Sequence, residues 1–258
     1  MHHAFIDKFS RGTTLIHRLD PRAKALFFFP LVVLINLTPI GLVPIFAGYA
    51  CLLVGLALAA QVPLGYLAKR LLLVLPFVLV IILFVPFLTE GEVAGRVRFW
   101  GLEFSVTWQG LRIAVNVLTK ALLCALTLLV LVTTTRFDHL LRALEDLYVP
   151  RVILLILSFL YRYLFLLIEE AQQMKRARDA RSVTRRRLQL KAAGGMAGVL
   201  FLRTYERAER VYQAMLARGF DGEVRTLRPL RFRAADLAGL VGGWALVAVL
   251  WGVAWTLR

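Results

Sequence analysis

Cysteine is scarce in this sequence, with two residues in 258. Cys51 and Cys124 each sit inside an apolar run, so they offer no metal spacing and no disulfide framework, and both are read as small packing hydrophobes. No glycine precedes a lysine anywhere, which excludes a G-x-x-x-x-G-K-[ST] phosphate loop; any nucleotide must be handled by another protein. Acidic residues number 16 against 32 lysines and arginines. None of the acids falls inside a long apolar run, which argues against a proton-coupled carrier built on an intramembrane carboxylate. No His or carboxylate cluster stands at the end of an apolar run, where a membrane-bound enzyme needs one. His17 and His139 are isolated. Met1-His2-His3 has the form of an amino-terminal chelate, but a terminal histidine pair is more often incidental, so neither a metal site nor a cofactor is expected. The charged residues 1–24 lack the compact apolar core of a signal peptide, so the first apolar run is expected to stay as a membrane helix.

What the sequence has is hydrophobicity. At 59% hydrophobic and 19% charged, it lies outside the range of soluble domains, and its net charge of +16 has to be weighed against membrane topology before nucleic acid is considered. A bilayer core about 30 Å thick takes on the order of 20 apolar residues in a helix. Five runs meet that standard, at about 25–40, 43–64, 71–88, 111–134 and 237–257, with Pro39 and Pro44 marking a tight turn between the first two. A sixth run, 152–168, is long enough by hydropathy, although Ser158 and Arg162 interrupt it. With a cytoplasmic amino terminus, five spans place Arg11, Arg18, Arg22, Lys24, Lys69 and Arg70 inside, and leave only Arg96 and Arg98 outside beside Glu90, Glu92 and Glu103. Residues 169–233 carry 16 cations, all of which would lie outside if 152–168 crossed. Charge bias therefore predicts a helix lying in or under the membrane there.

The expected fold is all-α and integral to the membrane, with about five transmembrane helices and a coupling segment of about three more. It divides into a bundle of about four spans at 1–135, a cytoplasmic segment at 136–235 and a last span at 236–258. The first helix of the segment gathers Phe137, Leu140, Leu141, Leu144, Leu147 and Tyr148 on one face, with Asp138, Arg142, Glu145 and Asp146 opposite, and stops at Pro150. The second begins near Arg151 and runs through the apolar stretch into MKRARDARS. The third spans about 196–218, with Phe201, Tyr205, Ala208, Tyr212, Met215 and Leu216 on one face and Arg203, Glu206, Arg207 and Arg210 on the other. Gly219 is placed to end it in the left-handed conformation.

Three features are candidates for function. Arg112, Asn116 and Lys120 share one face of the fourth span and suggest a gate or subunit contact, against the plainer reading that Arg112 snorkels and Lys120 pairs with a backbone carbonyl. Gly239 and Gly243 permit close helix approach in the last span, while Trp251 and Trp255 look like an interfacial anchor. Most specific is a pattern that occurs twice: Ala180-Arg181-Ser182 closes the second coupling helix, and Ala217-Arg218-Gly219 closes the third. An arginine in a last helical turn is favoured by the macrodipole. Two such ends also make matched prongs able to insert guanidinium groups into acidic pockets of a two-fold partner.

With these residues in view, the chain resembles the transmembrane T components of energy-coupling factor importers. The likeness rests on the stretch His17-Arg18-Leu19-Asp20-Pro21-Arg22-Ala23-Lys24, on the long basic segment and on the two Ala-Arg-Gly-like motifs, the first carrying Ser182 in place of glycine. The start Phe5-Ile6-Asp7-Lys8-Phe9 looks most like the cobalt and nickel branch, the CbiQ type. The resemblance implies a non-catalytic coupling subunit in the plasma membrane of a prokaryote, most similar to those for cobalt, with nickel or a vitamin as alternatives. It implies two cytoplasmic ATP-binding subunits docking on Arg181 and Arg218, with Ala180, Ser182, Ala217 and Gly219 giving clearance. A separate membrane subunit would capture the substrate above a platform formed by 137–148 and 152–168. Some cations of the segment are expected to meet anionic lipid, and no nucleic-acid partner is expected. A self-contained permease is the other reading, with the Arg112 to Lys120 stripe as its only polar pathway.

Overall fold

The computed structural model describes residue 12 and residues 14–89, 93–99, 102–147, 149–181, 186–222 and 232–256. Phe5 to Phe9, His2, His3, Tyr148 and Ser182, on which some of the expectations above rest, lie outside them. Among the described residues the elements are helices apart from one hairpin, in the order α1 (Leu15–Arg18), α2 (Pro21–Leu37), α3 (Val43–Ala59), α4 (Leu64–Leu88), β1 (Val93–Phe99), β2 (Leu102–Thr107), α5 (Trp108–Thr134), α6 (Phe137–Asp146), α7 (Arg151–Arg181), α8 (Arg186–Ala217) and α9 (Ala234–Thr256). The helices α4, α5, α7 and α9 are long and apolar enough to cross a membrane. At 17 residues each, α2 and α3 are at the short end of what spans a bilayer. The hairpin is an addition to the expected architecture: β1 and β2 pair antiparallel, with Arg98 opposite Glu103, in the segment read from the sequence as a loop.

The chain forms two compact units, one of residues 1–143 with 230–258, the other of residues 144–229. The first is built on a core from α2, α3, α5 and α9, where Leu31, Ile35, Ile45, Tyr49, Leu53 and Val130 are at most 1% exposed. Between helices in a bilayer, association depends on close packing and on satisfying every polar group internally. Both devices are present. Thr127, Thr133 and Thr134 turn their hydroxyls back onto the carbonyls of Leu123, Leu129 and Val130 at 2.7 Å each. A Cβ added to Gly110 at the start of α5 would come within 2.7 Å of the Pro86 backbone in α4, so glycine there lets the two helices meet.

Trp251 departs from the expected interfacial anchor. Its Nε1 donates to the Tyr49 hydroxyl at 2.7 Å, and Tyr49 is fully buried. An indole N–H inside the bundle needs an acceptor, and the α3 tyrosine provides one. Cys124 receives a contact from Asn36 Nδ2 at 3.4 Å, whereas Cys51 is exposed and so is not a core packing residue of this chain.

The second unit is dominated by α7 and α8, of 31 and 32 residues, each about 45 Å long at the standard rise. Glu170 of α7 joins them, accepting from Arg203 and Arg207 of α8 at 3.3 Å each. The helix α8 begins at Arg186, some ten residues before the position expected from the sequence. Gly194, Gly195 and Gly198 lie inside it; a glycine in a helix costs about 1 kcal/mol against alanine but does not end it.

Candidate functional site

Three helix ends of the first unit are tied together by one buried polar group. Asp20 caps α2, its carboxylate accepting from the Arg22 N–H at 2.9 Å, with Pro21 at the first helical position; this is the arrangement in which an Asp-Pro pair starts a helix well. Asp236 lies in the first turn of α9. One of its carboxylate oxygens accepts from the Arg233 N–H at 2.8 Å, closing its own helix start. The other accepts from the Asp20 N–H at 2.7 Å. One carboxylate thus serves two helix starts.

Lys24, one turn along α2, donates to the carbonyl of Thr134 at 2.9 Å and reaches that of His17 at 3.4 Å. Thr134 is the last residue of α5, so the ammonium sits at a helix C-terminus, where carbonyls lack partners and the dipole is negative. Asp20, Lys24 and Asp236 are each 4–5% exposed. Two carboxylates within electrostatic reach of one ammonium keep the buried charges compensated.

Lys120 does the converse. Its Nζ donates to the carbonyl of Asn36 at 2.8 Å, next to last in α2. Each of α2 and α5 therefore contributes a lysine that caps the other's C-terminus, as antiparallel neighbours allow. This geometry agrees with the plainer reading of Lys120. Asn116 is buried and Arg112 exposed on the same helix, so the three residues do not form one continuous polar path.

Chain continuity leads from Thr134 through Arg136 into α6, where Leu141 and Ala143 are buried. His139, one turn before Ala143, is partly buried and lies 3.8 Å from the Asp138 carboxylate. Burial pushes its imidazole below the usual histidine range, with Arg136, Arg142 and Lys24 adding to the effect and Asp138 opposing it.

In the second unit both motif arginines occupy helix ends and both are exposed: Arg181 is the last residue of α7, and Arg218 follows Ala217 at the end of α8. Ala180, Ala217 and Gly219 are exposed beside them. Gly219 has φ +79°, its N–H bonds to the Leu216 carbonyl at 2.9 Å, and the Phe220 N–H reaches back to Met215 at 3.0 Å. That pair of bonds is the Schellman stop, and it fixes the direction in which Arg218 leaves the helix. On α8 the apolar residues Phe201, Tyr205, Tyr212 and Leu216 are exposed, as are Val152, Ile153, Ile156 and Leu160 on α7.

The buried cluster is what reading the sequence missed. Asp20 and Lys24 stand in a quoted motif, but the last apolar run is read from 237, which puts the acid that completes the group at a span end rather than in a core. The signal was present: Asp236 three residues after a cap position is the spacing of a side chain that reaches back to its helix start.

The family described as CbiQ, cobalt transport protein, matches residues 12–227. Among curated relatives, the energy-coupling factor transporter transmembrane protein EcfT of Bacillus subtilis (strain 168) is 30% identical over 258 residues, covering 95% of this chain and 96% of the relative. EcfT of Brevibacillus brevis is 33% identical over 267 residues, with 95% of each chain covered. An uncharacterized protein of Methanocaldococcus jannaschii is 28% identical over 253 residues, covering 95% of this chain and 85% of the relative.

Proposed function

This chain belongs to the CbiQ and EcfT family of energy-coupling factor transmembrane proteins, and we propose that it is a coupling subunit, carrying conformational change from ATPase partners to a separate membrane subunit that captures the substrate. As a multi-pass membrane protein of a transport family, it is assigned no catalytic step: nucleotide hydrolysis belongs to the partners. The observation that carries the reading is the placement of Arg181 and Arg218. Both cations are exposed at the ends of the two longest helices, where a guanidinium can enter an acidic pocket and form paired hydrogen bonds. Two such ends suit two ATP-binding subunits, and Ala180, Ser182, Ala217 and Gly219 leave room beside them.

The amino terminus is assigned to the cytoplasm and α7 to the membrane surface, on the charge bias of the loops. The amphipathic stretch 137–148 and the uncovered apolar residues within 152–168 are then the platform for the substrate subunit, since exposed patches of this kind mark interaction surfaces. The Arg112, Asn116 and Lys120 face is assigned to a subunit contact within the membrane, with exposed Arg112 making the contact, Asn116 buried behind it and Lys120 holding α2 beside them. Some cations of the basic segment meet anionic lipid, and no nucleic acid is involved. On loop charge we divide the chain into a bundle at 1–135, a coupling segment at 136–235 and a closing span at 236–258.

Cobalt is the proposed substrate, a reading supported by the description of the matched family. Uptake measured in cells carrying the chain with its neighbouring subunits should rise for cobalt and be abolished by loss of ATPase activity. Uptake of nickel or a vitamin instead would leave the coupling role and remove the cobalt assignment. A self-contained permease, by contrast, would transport without the ATPases.

A further inference from the structure

A cleft of about 80 Å³ opens among α1, α2, α3 and α9 in the first unit. Its walls are Ile16, Leu19, Phe27, Phe28, Leu52 and Leu240, and Lys24 and Asp236 close one end. Two glycines one turn apart shape its α9 side. At Gly243 a Cβ would come within 2.7 Å of the Phe27 ring, so the helices touch there. At Gly239 the nearest neighbours are the methyl carbons of Leu19, 3.4 and 3.6 Å away, and the cleft stays open.

Its two charged residues are already engaged. Lys24 donates to the carbonyls of Thr134 and His17, and the Asp236 carboxylate accepts from Asp20 and Arg233. The cleft is therefore not an ion site, and its apolar walls call for hydrocarbon. The charge around the engaged end is predominantly positive. Arg18 precedes the wall residue Leu19, Arg233 donates its backbone N–H to Asp236, and both side chains are exposed; Arg22 lies in the same turn as Lys24, half-buried.

We propose that this cleft is a binding site for an anionic phospholipid, one acyl chain lying along α9 from Asp236 to Gly243 and the phosphate held at the end marked by Arg18 and Arg233. The seven helical steps from Asp236 to Gly243 measure about 10 Å, so the cleft takes part of one chain and the rest stays in the bilayer. A neutral lipid fits the walls equally well. Selectivity comes from the two arginines, each worth about a fivefold preference for an anionic headgroup at a membrane surface, or about 25-fold together. Of the basic segment the site uses only Arg233, neither motif arginine takes part, and its test involves no ATPase, so its failure and that of the coupling role can be told apart.

The test uses the full chain in detergent with phosphatidylglycerol carrying a photoactivatable group in its acyl chain, the adducts being mapped by peptide mass spectrometry. Adducts should concentrate on peptides containing residues 16–28 and 237–243. Unlabelled phosphatidylglycerol should compete with them about 25-fold better than phosphatidylcholine. R18Q/R233Q should make the two competitors equal while leaving the thermal midpoint without lipid unchanged, and Gly239→Leu should remove the adducts from both peptides. Equal competition in the wild type, or labelling of the exposed face of α4 as strong as that of the two peptides, would overturn the proposal. Should Gly239→Leu fail to fold, the arginine pair alone decides.

Discussion

At the scale of single residues, buried charge is used as an adhesive between helix ends. Removing one member of a buried charge group leaves the others uncompensated, which costs about 3–5 kcal/mol. Asp236→Ala and Lys24→Met should each destabilise the detergent-solubilised protein by an amount of that order, read as a lowered thermal midpoint. Lys120→Met, which loses a half-buried cap, should cost about 1 kcal/mol. Equal losses at Lys24 and Lys120 would contradict this ordering. His139 supplies a pH dependence. Because its folded pKa lies below the ordinary value, the unfolded chain takes up a proton first as pH falls, so stability is intact above about pH 6.5 and declines below it. Between pH 7.5 and 5.5 the wild type should therefore lose more of its thermal midpoint than His139→Gln; the difference is small, since the side chain is 39% exposed and its surroundings are partly aqueous. Of these residues only the isolated ones were legible in the sequence. An Asp, a Lys and a second Asp more than 200 positions on form a group only after α2, α5 and α9 have packed, and hydropathy assigned the last acid to a helix end rather than to a core.

At the scale of elements, apolar run length and turn residues set the helices. All five expected spans correspond to observed helices, and the Asp20-Pro21 start and the Gly219 stop were both readable because each is a local rule with a local cause. The hairpin was not read, since short strands rich in charge give a weak signal beside 20-residue apolar helices. The apolar face expected over about 196–218 marks only the later part of α8, which begins at Arg186 and runs through Gly194, Gly195 and Gly198. Glycine has its strongest effect at Gly110, where backbone meets backbone. Gly110→Ala gains about 1 kcal/mol of helix propensity but forces α4 and α5 apart, at about 1–3 kcal/mol. The variant should be less stable on balance, as read by thermal melting, while Gly55→Ala, with open space around it, should be neutral or stabilising. The reverse order would show that the α4 and α5 contact is not limited by this glycine.

At the scale of the whole molecule, the two units divide two kinds of chemistry. The first closes its polar groups on itself and faces outward with hydrocarbon; the second exposes cations and apolar side chains together, which is the surface of a chain completed by partners. Composition and loop charge made the membrane class and the basic segment plain from the start, and the doubled Ala-Arg motif singled out two cations among the 32 lysines and arginines. No pattern in one chain describes the surfaces of its partners, so what those two cations bind has to be measured. The most direct measurement co-expresses the chain with the ATP-binding proteins encoded beside it and quantifies the ATPase recovered with the detergent-solubilised complex. The account predicts that wild type brings down ATPase and that Arg181→Glu with Arg218→Glu reduces recovery by about 100-fold or more, two charge-assisted contacts of about 1.5–3 kcal/mol each being lost, with the melting temperature of the isolated chain unchanged. Full recovery of ATPase by the doubly reversed variant would contradict it.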